Sequence, residues 1–307
     1  MTALSATREQ LARHAPETPL RRTLHQLVHN RLAITGGIII GFMVCLAIFA
    51  PVISPHSPIA RPSNATPRMP PCVHLLGCPA DKPEFIFGTD GNGRDLLTRV
   101  IYGAQLSLMV GFTTAGGAIL IGGFLGAIAG YAGGLMDNII MRIMDVLLAF
   151  PSLLLAIGIV NVLGPGLTNA LLAIGIVAIP AYARIMRSSV LAVKEFDYVL
   201  AARTIGSPGT RILFRAILPN ALAPILVTGT LGIAGAILDA AALSFLGLGA
   251  QPPTPEWGRM LTDERASVVN APYLLFFPGA AIMLTVLGFN LLGDGLRDAL
   301  DPRLRHG

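Results

Sequence analysis

The chain has 307 residues, of which 53% are apolar and only 13% charged, with a net charge of +5 and a mean hydropathy of +0.67. Soluble domains need about 25% charged residues to clothe a water-facing surface, so this composition excludes an ordinary soluble enzyme and a disordered chain. Three cysteines are too few for a disulfide-built mini-protein, and the positive balance lacks the basic stripe with interleaved aromatics of a nucleic-acid binder.

A helix needs about 20 mostly apolar residues to cross a bilayer. Six stretches meet that length: Leu32 to Val52, Ala104 to Tyr131, Ile139 to Val160, Leu167 to Ile185, Ala221 to Leu248, and Tyr273 to Leu292. The expected fold is therefore an all-α polytopic membrane protein with six transmembrane helices. Its expected units are an N-terminal segment, 1–31, a first anchor, 32–52, and an outside loop, 53–103. A core of five spans follows over 104–294, holding an inside loop at 186–219, and a tail closes the chain at 295–307. The first run exceeds a signal-peptide core and reads as a retained anchor.

Basic residues mark cytoplasmic loops. With the N-terminus inside, the inside segments hold 15 Lys/Arg and the outside segments 7, five of these in the one long loop. Both termini are thus expected in the cytoplasm. The outside loop carries eight prolines between positions 55 and 83 and reads as irregular or extended. Cys72 and Cys78 lie in it with five residues between them. In an oxidising compartment they either close a small ring or stay as two thiols, and geometry decides between these. Cys45, inside the first span, reads as inert.

The inside loop reads as two short helices. Tyr198, Ala201, Ala202 and Ile205 form one apolar stripe at i, i+3, i+4 and i+7. Gly206 permits the left-handed residue that ends a helix. Ser207 and Pro208 read as the N-cap and first residue of the next helix, which carries Arg211 and Arg215 one turn apart. Pro219 is expected to break the pattern where the fifth span begins. This helix–turn–helix knob either docks on a protein or rests on lipid headgroups.

Within the spans, Asp239 is the carboxylate that stands out. A charge there is costly unless it faces protein or water, so it is a candidate pathway residue, against a buried helix–helix hydrogen bond as the plainer reading. Asp145 lies three residues beyond Arg142, and the two are expected to pair. Gly122, Gly126 and Gly130 form a repeated small-residue face suited to close helix packing. Pro151 and Pro180 are expected to kink their spans. Trp257, just past the fifth span, reads as an interfacial anchor or, alternatively, as a contact for an external protein.

The chain has only two lysines, Lys82 and Lys194, and neither stands in the G-x-x-x-x-G-K-[ST] setting that cradles nucleotide phosphates. There is no CxxC, and the six scattered histidines form no zinc pattern. A proton-driven carrier would want paired carboxylates or histidines in the spans, and an intramembrane hydrolase a nucleophile with a base in reach. Both readings lack their residues.

The segment AARTIGSPGTRILFRAILPN resembles the "EAA" loop of ABC-importer permeases, with Ala201, Ala202, Gly206, Leu218 and Pro219 in register. Leu200 stands where the motif has Glu, and Ala216 where Ile is usual. FGTDGNGRDLLTRVIYGAQLSLMVG, GYAGGLMDNIIMRIMDVLLAFPSLLLA, AILDAAALSFLGLGAQPPTPEWGRML and FNLLGDGLRDALDPRL are similar to segments of peptide-type permeases, in the same order. The resemblance is to the C-type inner-membrane permeases of dipeptide and oligopeptide importers, nearest the dipeptide branch.

It implies a type I ABC-importer permease fold and a non-catalytic subunit that forms half of a translocation pathway. It further implies a second, B-type permease, two ATPase subunits or domains that carry ATP and Mg, a periplasmic peptide-binding protein, and a bacterial inner membrane. This chain itself would bind no cofactor, metal or nucleic acid. The resemblance makes Glu195, Asp197, Tyr198, Ala201, Ala202, Arg203, Gly206, Arg211, Arg215 and Pro219 the ATPase-coupling loop. The cargo would be dipeptides or short peptides, with nickel, glutathione, haem and opines as the cargoes of relatives.

Overall fold

The computed structural model describes residues 26–300. Among these there is no strand, only two isolated bridges, Cys72 with Phe85 and Thr89 with Asp95. The arginines at 8, 13, 21, 22, 303 and 305, and with them the ends of the two terminal segments, lie outside the described residues.

The principal helices among the described residues are α1 Arg31–Ile53, α2 Leu96–Ala132, α3 Gly134–Leu148, α4 Ser152–Leu163, α5 Leu167–Lys194, α6 Asp197–Thr204, α7 Gly209–Phe245, α8 Trp257–Glu264 and α9 Tyr273–Leu300. Five of them, α1, α2, α5, α7 and α9, are long and apolar enough to cross a membrane. The third expected span is not one straight helix. It is the pair α3 and α4, bent by 90°. The break falls at Phe150 and Pro151, where proline supplies no N–H and pushes its predecessor out of helical conformation.

Helix ends follow local chemistry. The Asn30 side chain accepts from the Leu32 and Ala33 amides to start α1, and the Asp95 carboxylate accepts from Thr98 N–H to start α2. Gly133, at φ +67°, turns the chain between α2 and α3.

Lipid is as apolar as leucine, so helices in a membrane associate through close packing of small residues more than through water exclusion. The glycine face of α2 does this. A Cβ on Gly122 would lie 2.5 Å from the Ile179 carbonyl, one on Gly126 would strike the Ala183 carbonyl, and one on Gly130 would lie 2.9 Å from the Arg187 carbonyl. Each step is one helical turn on both partners, so α2 and α5 run together along their length. The same device joins α1 to α9, where Gly36 meets Gly288 and Leu292, and Gly295 meets Ala33. Asn30 Nδ2 donates to Asp298 at 3.1 Å beside that seam.

Three apolar clusters result. One, at the α8 end, gathers Leu96, Leu108, Trp257, Met260 and Leu274. A second, between α2, α4, α5 and α7, holds Val110, Val160, Ala173 and Leu243. The third, at the α6 end, holds Tyr182, Met186, Val190, Val199, Ile212 and Ile217.

Candidate functional site

Three places carry the residues of interest. The first is the knob. Helix α6 ends in the paired hydrogen bonds of a Schellman motif: Gly206 N–H donates to the Arg203 carbonyl at 2.9 Å, and Ser207 N–H to the Ala202 carbonyl at 3.1 Å. Gly206 supplies the left-handed residue at φ +76°. Pro208, not Ser207, then precedes the next helix, and no side chain caps it. The second helix also does not stop at Pro219. It continues as α7 through a π-helical turn over Ile212–Ile217, in which Leu218 N–H donates to the Leu213 carbonyl five residues back. A wider turn leaves room for the Pro219 ring, which in a regular helix would clash with the carbonyl four residues before it.

Val199 is fully buried and pins α6 against Ile212 and Ile217. Lys194 Nζ donates to the Tyr131 carbonyl at 3.0 Å, tying the knob's root to the last turn of α2. Glu195, Asp197, Tyr198, Ala201, Arg203, Gly206, Arg211, Arg215 and Pro219 are all exposed, and Ala202 is half-buried. Phe196, Leu200 and Ile205 are exposed as well, Ile205 to 81%. The knob thus presents an apolar surface rimmed by charges, and Leu200, the departure from the motif, lies on it. Behind it, Arg187 grips Asp137 of α3 through two bonds of 2.5 and 2.6 Å. Asp145 pairs with Arg184 of α5 at 2.6 Å, not with Arg142, because the bend at Pro151 lays α3 along α5.

The second place is a groove of about 340 Å³ between α2, α5 and α7. Asp239 lines it, half-buried, together with Thr114, Tyr182, Thr228, Gly232 and Gly235.

The third was missed by sequence reasoning. The segment 54–95 is irregular, as expected, but it folds down over the ends of α2, α8 and α9 as a cap. Cys72 is bonded to Cys78, with Cα atoms 5.5 Å apart. Asp90, Arg94, Asp95, Arg99, Glu256 and Glu264 are all buried. Arg94 Nε donates to Asp90 at 2.6 Å, and Arg99 lies 3.4 Å from the same carboxylate. Arg99 also donates to the Pro58 and Pro253 carbonyls at 2.8 and 3.1 Å, and Gly91 N–H donates to Glu264 at 2.6 Å. Tyr273 donates to the Met69 carbonyl at 2.9 Å.

Glu256 caps α8 by accepting from Gly258 and Arg259 N–H, both at 2.8 Å. Burial pushes its carboxyl above the usual carboxylate range, against the pull of those two amides, Ser244 and Arg259. Trp257 is neither an interfacial anchor nor an outward contact. It is 1% exposed, and its indole donates to the Val100 carbonyl at 3.0 Å. The signal that could have found the cap was the run Asp90, Arg94, Asp95, Arg99: charges of both signs at helical spacing, leading straight into a span.

Residues 122–306 match the family described as the binding-protein-dependent transport system inner membrane component, and residues 18–71 match the N-terminal transmembrane domain of oligopeptide transport permease C. The dipeptide transport system permease protein of Alkalihalophilus pseudofirmus is 51% identical over 94% of this chain and 91% of its own. That of Haemophilus influenzae is 45% identical over 95% and 97%. The glutathione transport system permease protein of Pectobacterium atrosepticum is 41% identical over 99% and 97%. Among solved structures, the inward-facing MetNI methionine ABC transporter matches with a TM-score of 0.55 at 18% identity, covering 67% of this chain and 97% of that one. That likeness concerns the fold, which is the type I permease fold.

Proposed function

Because the chain belongs to the family of inner-membrane components of binding-protein-dependent transport systems, a family of non-catalytic permease subunits, we propose that it forms half of the translocation path for dipeptides. Cargo crosses between this chain and a second permease. A periplasmic binding protein delivers the cargo, and two ATPase subunits, holding ATP and Mg, supply the work. The membrane is the bacterial inner membrane. The cap over 54–95 lies outside, and the knob and both termini lie in the cytoplasm.

The observation that carries this reading is the knob. Its apolar surface of Phe196, Tyr198, Leu200 and Ile205 is exposed, ringed by Glu195, Asp197, Arg203, Arg211 and Arg215. Such a surface, beyond the bilayer and rimmed with charge, fits a protein partner better than headgroups. Its root is fixed to α2, α5 and α7 at once, so a push on it moves the spans rather than a loop. The arginines at the knob end, including Arg184 and Arg187, support the assigned orientation. Dipeptide cargo is favoured by the two dipeptide permeases of highest quoted identity, and the glutathione permease keeps short peptides of other kinds as a second reading.

Reconstitution in proteoliposomes tests the proposal. Uptake of a labelled dipeptide should require ATP inside the assembly and stop when the ATPase partner is catalytically dead. Uptake that persists with the dead partner would refute it.

A further inference from the structure

Asp239 makes no hydrogen bond or ion pair with any described residue. It lies on one stripe of α7 with Thr228, Gly232 and Gly235, at i, i+4, i+7 and i+11, so all four face the groove together. Tyr182 crosses from α5: a Cβ on Gly232 would strike its hydroxyl, so glycine there is what lets the ring reach α7. Thr114, from α2, has a buried hydroxyl with no partner among the described residues. A Cβ on Gly235 would meet nothing within 4 Å, so the groove is open beside Asp239.

The lining is therefore one carboxylate and a few hydroxyls on an apolar wall, with no lysine, arginine or histidine. Such a wall repels a carboxylate and favours a cation that can donate several hydrogen bonds. An intramembrane carboxylate without an internal partner implies a partner supplied from elsewhere. The end of a dipeptide with that chemistry is its α-ammonium group, which offers three donors.

We propose that Asp239 is a cargo-contact residue that receives the terminal ammonium of a peptide passing through the α2–α5–α7 groove. The cargo's carboxylate end is then left to the facing permease. This rests on the permease reading and adds to it the orientation of the cargo and the group that reads it.

The test uses the complete complex in proteoliposomes with saturating, peptide-loaded binding protein. A wild-type complex that shows no ATP-dependent uptake would refute the permease reading itself, a failure distinct from any result with the variants. Given that baseline, Asp239→Asn should lower alanyl-alanine uptake per ATP hydrolysed by about tenfold, the loss expected for one charge-assisted hydrogen bond. Binding-protein-stimulated ATPase should stay close to wild type. Asp239→Glu should restore most of the uptake, and Gly235→Leu, which puts bulk into the groove at a position where a Cβ meets nothing within 4 Å, should mimic Asp239→Asn. With the desamino analogue at matched occupancy of the binding protein, wild type and Asp239→Asn should transport alike. Unchanged uptake in Asp239→Asn would overturn the proposal. So would equal losses with the peptide and its desamino analogue. Loss of co-purifying second permease would also overturn it, since Asp239 would then be an interface residue.

Discussion

Trp257 is the largest of the fully buried side chains, and it fixes the α8 end of the molecule. Its indole N–H reaches the Val100 carbonyl, and its ring lies so close to α2 that a Cβ on Gly103 would stand 2.5 Å from it. The ring thus holds α2 and α8 in one register. Trp257→Ala should destabilise the protein by about 3–5 kcal/mol, the usual cost of emptying a packed aromatic site. Trp257→Phe should cost less, because it keeps most of the volume and loses mainly the hydrogen bond. Thermal unfolding in detergent would show the ranking, and an alanine variant as stable as wild type would contradict it. The sequence could not place this residue. A tryptophan just past a span has the address of an interfacial anchor, and only its packing against α2 turns that address into an interior. Arg94 and Arg99 were hidden likewise: each counts as a loop charge until Asp90 is seen between them.

At the scale of elements, the knob divides into a legible half and an illegible one. Helix α6 and its stop at Gly206 follow from local rules, since an apolar stripe followed by glycine writes both the helix and its left-handed end. The second helix begins next to Pro208 as its sequence suggests, but its passage through Pro219 does not follow, because proline normally stops a helix and here a π-turn makes room for it. The bend between α3 and α4 shows the converse, a proline break inside what reads as one apolar run. At Gly206 the requirement is conformational and not steric: a Cβ there would meet nothing within 4 Å, yet φ is +76°. A β-branched residue is costly in that conformation, on the order of 1–2 kcal/mol or more. Gly206→Val should therefore distort the turn while leaving the spans packed. Dipeptide uptake and binding-protein-stimulated ATPase should both fall strongly, with a small shift in the unfolding midpoint. Gly206→Asn should do less harm, as asparagine tolerates left-handed backbone. A valine variant with normal uptake would mean that the knob does not transmit force.

Across the whole molecule, force from the knob must travel through α2, α5 and α7: α2 and α7 contribute to all three apolar clusters, and α5 to the two that lie nearer the knob and α4. Of the contacts between them, the seam of α2 on α5 is the most exacting. Gly122, Gly126 and Gly130 place backbone directly on backbone, so the two helices move as one body. The glycine spacing was readable in the sequence, but its partner was not, because nothing local says which neighbour a small-residue face will meet. A side chain at Gly126 would strike the Ala183 carbonyl, which cannot rotate away as a side chain could. Gly126→Val should force the helices apart, costing at least the roughly 1–3 kcal/mol of ordinary overpacking. At Gly117, on the same helix, a Cβ would meet nothing within 4 Å, so Gly117→Val is the matched control for substitution within α2. The unfolding midpoint should drop sharply for Gly126→Val and little for Gly117→Val. If Gly126→Val instead left both the midpoint and ATP-driven uptake intact, α2 and α5 would not form the rigid body through which the knob acts.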